Sequence, residues 1–316
     1  MCAGRSFPIV MLSAQAQLER LQREFVQLQR HENPRTIDFT TSLRNKHKNR
    51  YVDILANEST IYPTRIKSGA KSSVSGCYIN GNLIDVGLPH KFVACQAPVP
   101  DGIADFLKIL CDEKIDVVIM LTRLQEGGVL KADRYWPEED EQSVSFYDPK
   151  TGSVRVLRDS EHPYEVDTAL EITRRRLVIQ LPDNSTHQIL HVQYTGWPDF
   201  GVPRSAASFE ALLSIIKSNT TDKPVFVHCS AGIGRTGTLI GAYAALTHME
   251  QGSLVDTKVF DIVASMKQQR YGMVQRVEQY AVIYMTLLTR LGVSVAPLEA
   301  LLDEKLGAPT PTRGRR

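Results

Sequence analysis

The stretch VFVHCSAGIGRTG, residues 225–237, decides the reading of this chain. Val225, Phe226 and Val227 make a continuous apolar run, the pattern of a short strand covered on both faces. Gly232 and Gly234 then allow a tight turn, and a helix opens near Arg235. Between Cys229 and Arg235 lie five residues, Ser230, Ala231, Gly232, Ile233 and Gly234. That spacing lets the backbone curl with its N–H groups inward, which makes an anion nest at a helix N-terminus. A phosphoryl group placed there meets the amides and the two-pronged guanidinium of Arg235. The same field favours the thiolate of Cys229, a nucleophile in place of an inert core thiol. Thr236 stands where its hydroxyl can donate to that sulfur.

Outward from this loop, alternating strand and helix patterns predict a single α/β domain built on a highly twisted mixed β-sheet flanked by α-helices. IDVVIML at 115–121 reads as a second buried strand, fed by a helix near 100–113. Short strand pieces with turns at Gly81 and Gly87 are expected across 77–96, and further strands near 143–147, 153–157, 171–181 and 187–194. Helices are expected near 205–218, 235–250, 256–270 and 276–291. Leu18, Leu21, Phe25 and Leu28 recur at spacings of three and four, so residues 14–30 form an amphipathic helix that covers the domain's flank. A coiled-coil arm is the alternative for that segment, although two heptads are marginal for it.

Composition narrows the function classes. With 42% apolar and 23% charged residues the chain can bury a sizeable core, and a formal charge of +2 provides no field for nucleic acid or a membrane surface. Five cysteines without CxxC spacing argue against both a disulfide framework and a structural zinc site. The apolar patch Phe7 to Leu12 is broken by Pro8, too short for a signal core, and no run elsewhere approaches a membrane span. The histidines lack ligand spacing. The expectation is a cytoplasmic protein that needs no metal or cofactor.

HCSAGIGRTG resembles the signature loop of the tyrosine-specific, non-receptor type of cysteine-based protein tyrosine phosphatases. The resemblance runs from about Asn49 to Tyr284 through NRYVDIL, YINGN, KFVACQAP, RYWP, GWPDFGVP and GMVQRVEQY, in that order. It implies the protein tyrosine phosphatase-like fold, with a flexible N-terminus at 1–13 and the catalytic domain with its N-terminal helix at 14–295. A C-terminal extension follows at 296–316, disordered from about 308. The isolated domain and its flanks suit a protozoan single-domain member. The implied activity is hydrolysis of phosphotyrosine in proteins through a cysteinyl-phosphate on Cys229, acting in intracellular signalling as a monomer.

The same resemblance assigns residues. Arg235 clamps the phosphate, and Asp199, on a loop anchored by Trp197, is the general acid and later the base. Gln275 orients the attacking water, and Gln279 is the family's second glutamine. Tyr51 walls a cleft deep enough for an aryl ester, and Asp53 accepts hydrogen bonds from the bound peptide's backbone. Glu126 and Lys131 belong to a loop that holds the arginine and the closed acid loop; Gln96 lies near the cleft or caps a turn. Val52 replaces a basic residue of relatives, which weakens any preference for acidic flanking residues. Lys267, Arg270 and Gly272 fall where relatives gate a secondary anion pocket, which is not assigned here. His228 makes structural hydrogen bonds beneath the loop. Bland readings stay open: a surface turn at 198–201, solvated glutamines at 275 and 279, an exposed hairpin at 126–131. Two other functions also stay open. An enzyme for other phosphoesters would have a shallower cleft or basic residues inside the loop, and a non-catalytic phosphotyrosine-binding module would have lost the cysteine, arginine or acid.

Overall fold

The computed structural model describes residues 8–30, 32–63, 76–198, 201–203, 205–253 and 258–306. In chain order the first elements are α1 (Ala14–Arg30), α2 (Thr40–Arg44), β1 (Gly81–Ile84), β2 (Phe92–Cys95), α3 (Pro100–Asp112) and β3 (Val117–Met120). A two-stranded hairpin, β4 (Gln125–Glu126) and β5 (Val129–Leu130), precedes β6 (Ser143–Asp148), β7 (Gly152–Arg158), β8 (Glu165–Asp167), β9 (Ile172–Gln180) and β10 (Thr186–Tyr194). The chain continues through α4 (Ala206–Ser218), β11 (Val225–His228), α5 (Gly234–Glu250), α6 (Lys258–Gln269), α7 (Val277–Arg290) and α8 (Ala296–Leu306).

Nine strands form one mixed sheet in the order β1-β2-β11-β3-β10-β9-β7-β6, with β8 added on β9. The central strands β2, β11, β3 and β10 run parallel, and the outer pairs are antiparallel. Side chains that alternate along a strand face opposite sides of its sheet, and this explains the continuous apolar runs. In β11, Val225 and Val227 enter one core and Phe226 the other; in β3, Val117 and Ile119 part from Val118 and Met120 in the same way. One core lies under α1 and α4 to α8, and the other under α3. Because β11 lies between two parallel neighbours, its C-terminal end opens into the crevice where open α/β sheets bind ligands.

The helices expected near 14–30, 100–113, 205–218, 235–250, 256–270 and 276–291 form, with α1 burying Leu18, Leu21, Phe25 and Leu28 against the helical layer. Pro100 starts α3, where a missing N–H costs nothing, and Ser205 caps α4 by accepting from Ser208 N at 3.2 Å.

Several details differ from expectation. Gly81 opens strand β1 where a turn was expected; a Cβ there would sit 2.8 Å from Cys95 Cβ, so the glycine serves close strand packing. β8 and α8 were not foreseen, since three residues carry no readable period and α8 lacks a strong amphipathic stripe. Within the stretch expected to be flexible, Pro8–Met11 form a 3-10 turn with Ile9 buried, and Gln17 Nε2 donates to the Ile9 carbonyl at 3.0 Å. The tail expected to be disordered, from about 308, lies outside the described residues.

If α1 is part of the folding unit, Leu21→Ala should cost about 2–5 kcal/mol of stability, read as a lower midpoint in denaturant unfolding. An unchanged midpoint would show that α1 docks too weakly to matter.

Candidate active site

His228 ends β11 and Gly234 begins α5, so residues 229–233 must turn the chain from strand to helix. The carbonyls of residues 230–233 all accept hydrogen bonds from within the protein. Ser230 O takes the Ala97 N–H at 3.0 Å, Ala231 O and Gly232 O take the Arg270 guanidinium at 3.1 and 2.9 Å, and Ile233 O takes the Val274 N–H at 3.0 Å. Gly234 O accepts from Thr238 Oγ1 at 3.0 Å. A trans peptide points its C=O and N–H to opposite sides. With the carbonyls of 230–234 turned outward, the N–H groups of 231–235 turn inward around Cys229, and Gly232 N donates to its Sγ at 3.3 Å. The sulfur's residue is 5% exposed, at the floor of this cup.

Gly232 is obligatory. Its φ is +70°, and a Cβ there would lie 2.0 Å from the Cys95 carbonyl oxygen. Arg270, which sequence reasoning placed only near a secondary pocket, is the buried brace of the loop: it also donates to Asn82 Oδ1 at 2.7 Å and Asn80 Oδ1 at 2.9 Å. Burial pulls its guanidinium down to about 10, which leaves it charged at neutral pH. The Cys95 thiol, buried in the core beneath, is pushed up to about 12 by the same effect and stays a neutral core group.

Arg235 is clamped in plane. Glu126 accepts from Nη1 at 2.7 Å and Nη2 at 2.6 Å, and Leu121 O accepts from Nη1 at 2.9 Å. Burial works against the Glu126 charge, yet Arg235, with the Thr122 hydroxyl and the Arg123 N–H, holds its carboxyl below the ordinary range. Glu126 therefore belongs to the site and not merely to a surface hairpin. Lys131, in the same loop, is largely buried, and its carbonyl accepts from Ser230 Oγ at 2.6 Å.

Tyr51 Oη meets the same Ser230 Oγ at 2.7 Å, so the tyrosine stands at the mouth of the cup. Its segment is fastened from behind: Gln96 accepts from Arg50 N at 2.9 Å and donates to Lys48 O at 2.7 Å, while Arg50 pairs with Asp133 at 2.7 Å. Gln96 is thus a buried strut. Val52 and Asp53 are exposed beside Tyr51. Trp197 is buried against Phe209 and donates to Gly201 O at 2.9 Å. Asp199 lies outside the described residues.

Two expectations are revised. Thr236 Oγ1 is buried without a hydrogen-bond partner among the described residues, so the bond to sulfur is not formed. Gln279 is neither solvated nor aimed at water with its oxygen: Oε1 accepts from Gln275 N at 2.9 Å and Arg276 N at 3.2 Å, capping α7. Its Nε2 lies close to Gly234, where an added Cβ would come within 2.8 Å. Gln275 is exposed, with its Oε1 3.2 Å from that same Cβ position, at the loop's edge. Lys267 faces away to Glu32, at 2.8 Å.

His228 is fully buried beneath the loop, with Nε2 2.8 Å from Tyr135 Oη and Nδ1 3.1 Å from Cys229 O. Burial pushes its pKa down from 6.5 to about 4. The unfolded chain therefore takes up this proton first on acidification, and stability falls as pH drops from about 6.5 to about 4. His228→Gln should flatten that part of the stability profile; an unaltered slope would contradict it. Vanadate, a phosphate mimic, should raise the melting temperature of the parent protein but not that of Gly232→Ala; a rise in the variant would show that the loop does not need the left-handed turn.

Comparisons with known proteins agree with this geometry. A family model described as protein-tyrosine phosphatase matches residues 45–289. The rat (Rattus norvegicus) tyrosine-protein phosphatase non-receptor type 20 is 31% identical over 266 residues, covering 84% of this chain and 59% of the relative. Tyrosine-protein phosphatase 3 of Dictyostelium discoideum is 34% identical over 280 residues, covering 79% of this chain and 26% of the relative. The chain thus spans only part of the length of these curated relatives. The crystal structure of a Trypanosoma brucei protein tyrosine phosphatase superposes with a TM-score of 0.86 at 63% identity, covering 93% of this chain and 100% of that one. One from Trypanosoma cruzi gives 0.89 at 57% identity, covering 94% and 98%. With a matched region that contains the whole strand, cup and helix, the chain belongs to the protein-tyrosine phosphatase family.

Proposed function

We propose that this protein hydrolyses phosphotyrosine in proteins through a cysteinyl-phosphate formed on Cys229. The observation that carries the reading is a loop whose carbonyls are bonded outward into the protein and whose Gly232 N–H meets Cys229 Sγ, followed by an Arg235 guanidinium held in plane by Glu126. Inward amides fit the equatorial oxygens of a phosphoryl group and act hardest on the charge that develops in the transition state.

In the first step the Cys229 thiolate attacks phosphorus and the P–O bond to the tyrosine ring breaks. Asp199 gives its proton to the departing phenolate, which at neutral pH leaves poorly without one. In the second step a water attacks phosphorus, the S–P bond breaks, and Asp199 takes the water's proton as inorganic phosphate is released. Gln275, at the edge of the cup near Gly234, is the group for orienting that water. Ser230, Ala231, Gly232, Ile233 and Gly234 bind the phosphoryl group through their backbone. The Tyr51 wall favours a long aryl ester over the short esters of serine and threonine, and Asp53, exposed on the same segment, accepts from the peptide backbone. Val52 adds no charge at that rim. We place the reaction in cytoplasmic signalling by a monomer, on phosphotyrosine-bearing proteins; the unpaired thiols Cys77, Cys95, Cys111 and Cys229 suit a reducing compartment.

Paired assays on phosphotyrosine and phosphothreonine peptides test this. Hydrolysis should be confined to phosphotyrosine, Cys229→Ser should abolish it, and Asp199→Ala should slow it by about 10²–10⁴ while substrate complexes persist. Comparable turnover of both peptides, or activity in Cys229→Ser, would refute the proposal.

A further inference from the structure

The N–H groups of residues 271–275 are fastened one by one. Tyr271 N donates to Asn57 Oδ1 at 3.0 Å, Gly272 N to Glu32 Oε1 at 2.7 Å, and Met273 N to Arg270 O at 3.3 Å. Val274 N donates to Ile233 O at 3.0 Å and Gln275 N to Gln279 Oε1 at 2.9 Å. The segment needs this because its backbone is strained. Gly272 has φ +83°, and Val274, a β-branched residue, has φ +56°. A valine in the left-handed region persists only where its surroundings over-determine it. The turn is also pressed against α5, since a Cβ on Gly237 would lie 2.6 Å from Val274 N. Its outcome is the placement of Gln275 beside Gly234 at the rim of the cup.

Among these fasteners Glu32 comes from the farthest point in the chain, 240 positions from Gly272 and just beyond the end of α1. Its carboxylate is itself fixed. Oε2 pairs with Lys267 Nζ at 2.8 Å, and that ammonium, 4% exposed, lies 5.7 Å from the Phe25 ring centroid on α1. A buried ammonium holds its carboxylate tightly, because an unpaired charge there is costly. One oxygen of Glu32 is thus anchored by α1 and α6, and the other holds the strained turn.

We propose that Glu32 is a positioning residue for the second chemical step: by fastening the Gly272 N–H it keeps the 272–275 turn in its strained form and so aims Gln275 at the cup. The inference rests on the reading of Gln275 as the group that orients the attacking water. It gives the N-terminal helix a larger part in hydrolysing the thiophosphate than in forming it.

Rapid mixing with p-nitrophenyl phosphate separates the two steps, because phenolate release reports the first and steady-state turnover the slower of the two. Glu32→Ala alone strands the Lys267 charge, so the working variant is Glu32→Ala with Lys267→Met. The double variant should release its first phenolate within about twofold of the parent rate while kcat falls on the order of tenfold, so that a burst approaching one phenolate per enzyme appears. Glu32→Gln, which keeps an acceptor for the Gly272 N–H, should show no such burst and retain most of kcat. A parallel loss in both steps, or an unchanged kcat, would overturn the assignment. Gln275→Ala is run beside them. If it slows only the second step and the double variant does not, Glu32 alone is wrongly assigned; if neither slows it selectively, the reading of Gln275 falls and takes this inference with it.

Discussion

The structure depends on what becomes of a few carbonyl oxygens. To turn the N–H groups of residues 231–235 toward one sulfur, the loop must turn its carbonyls into the protein, where each unmet acceptor would cost about 1–3 kcal/mol. Arg270 meets two of them with a guanidinium that is itself fully buried and spends its other donors on Asn80 and Asn82 at the start of the sheet. The Ala97 and Val274 N–H groups meet two more. Strand β1, the segment after β2 and the turn before α7 are thereby all committed to the shape of the cup. The fold and the site are one hydrogen-bond network.

Electrostatics follows the same plan. The charges nearest the cup, Arg235, Glu126 and Arg270, are each held by several bonds, so their orientation is set before anything binds. Burying charges is expensive and makes such pairs poor sources of stability, but a preformed arrangement needs no rearrangement when charge develops at phosphorus. His228 belongs to the same design. Deep burial keeps it neutral, so it supports the loop through Tyr135 and the Cys229 carbonyl and adds no positive charge beneath the cup.

The central fold was legible in the sequence because its signals are local. β11 is a short apolar run between a proline and a glycine-bearing loop, and α1 has the spacing of its buried face written along its turns. The nucleophile loop was readable for the same reason: five residues between Cys229 and Arg235 dictate a curl. What was not legible depends on partners far away in the chain. Arg270 reaches back 38 positions to Gly232 and 188 to Asn82, and no pattern around it announces either contact. Glu32 and Gly272 are separated further still. Thr236 was read from the loop as a donor to the sulfur and Gln279 by resemblance as the family's second glutamine, while the structure gives Gln279 oxygen to the α7 N-terminus and leaves Thr236 Oγ1 buried without a partner among the described residues. The left-handed Val274 would have looked improbable from sequence, since strain of that kind is visible only once the elements that impose it are packed.

The claim on which the account turns is that phosphorus passes through the Cys229 sulfur. Acid quenching of the enzyme during turnover of a phosphotyrosine peptide, followed by proteolysis and mass spectrometry, looks at this directly. The account predicts one phosphoryl group on the fragment that carries Cys229. A phosphoryl group on any other residue, or hydrolysis that proceeds with no protein-bound phosphate at all, would contradict it.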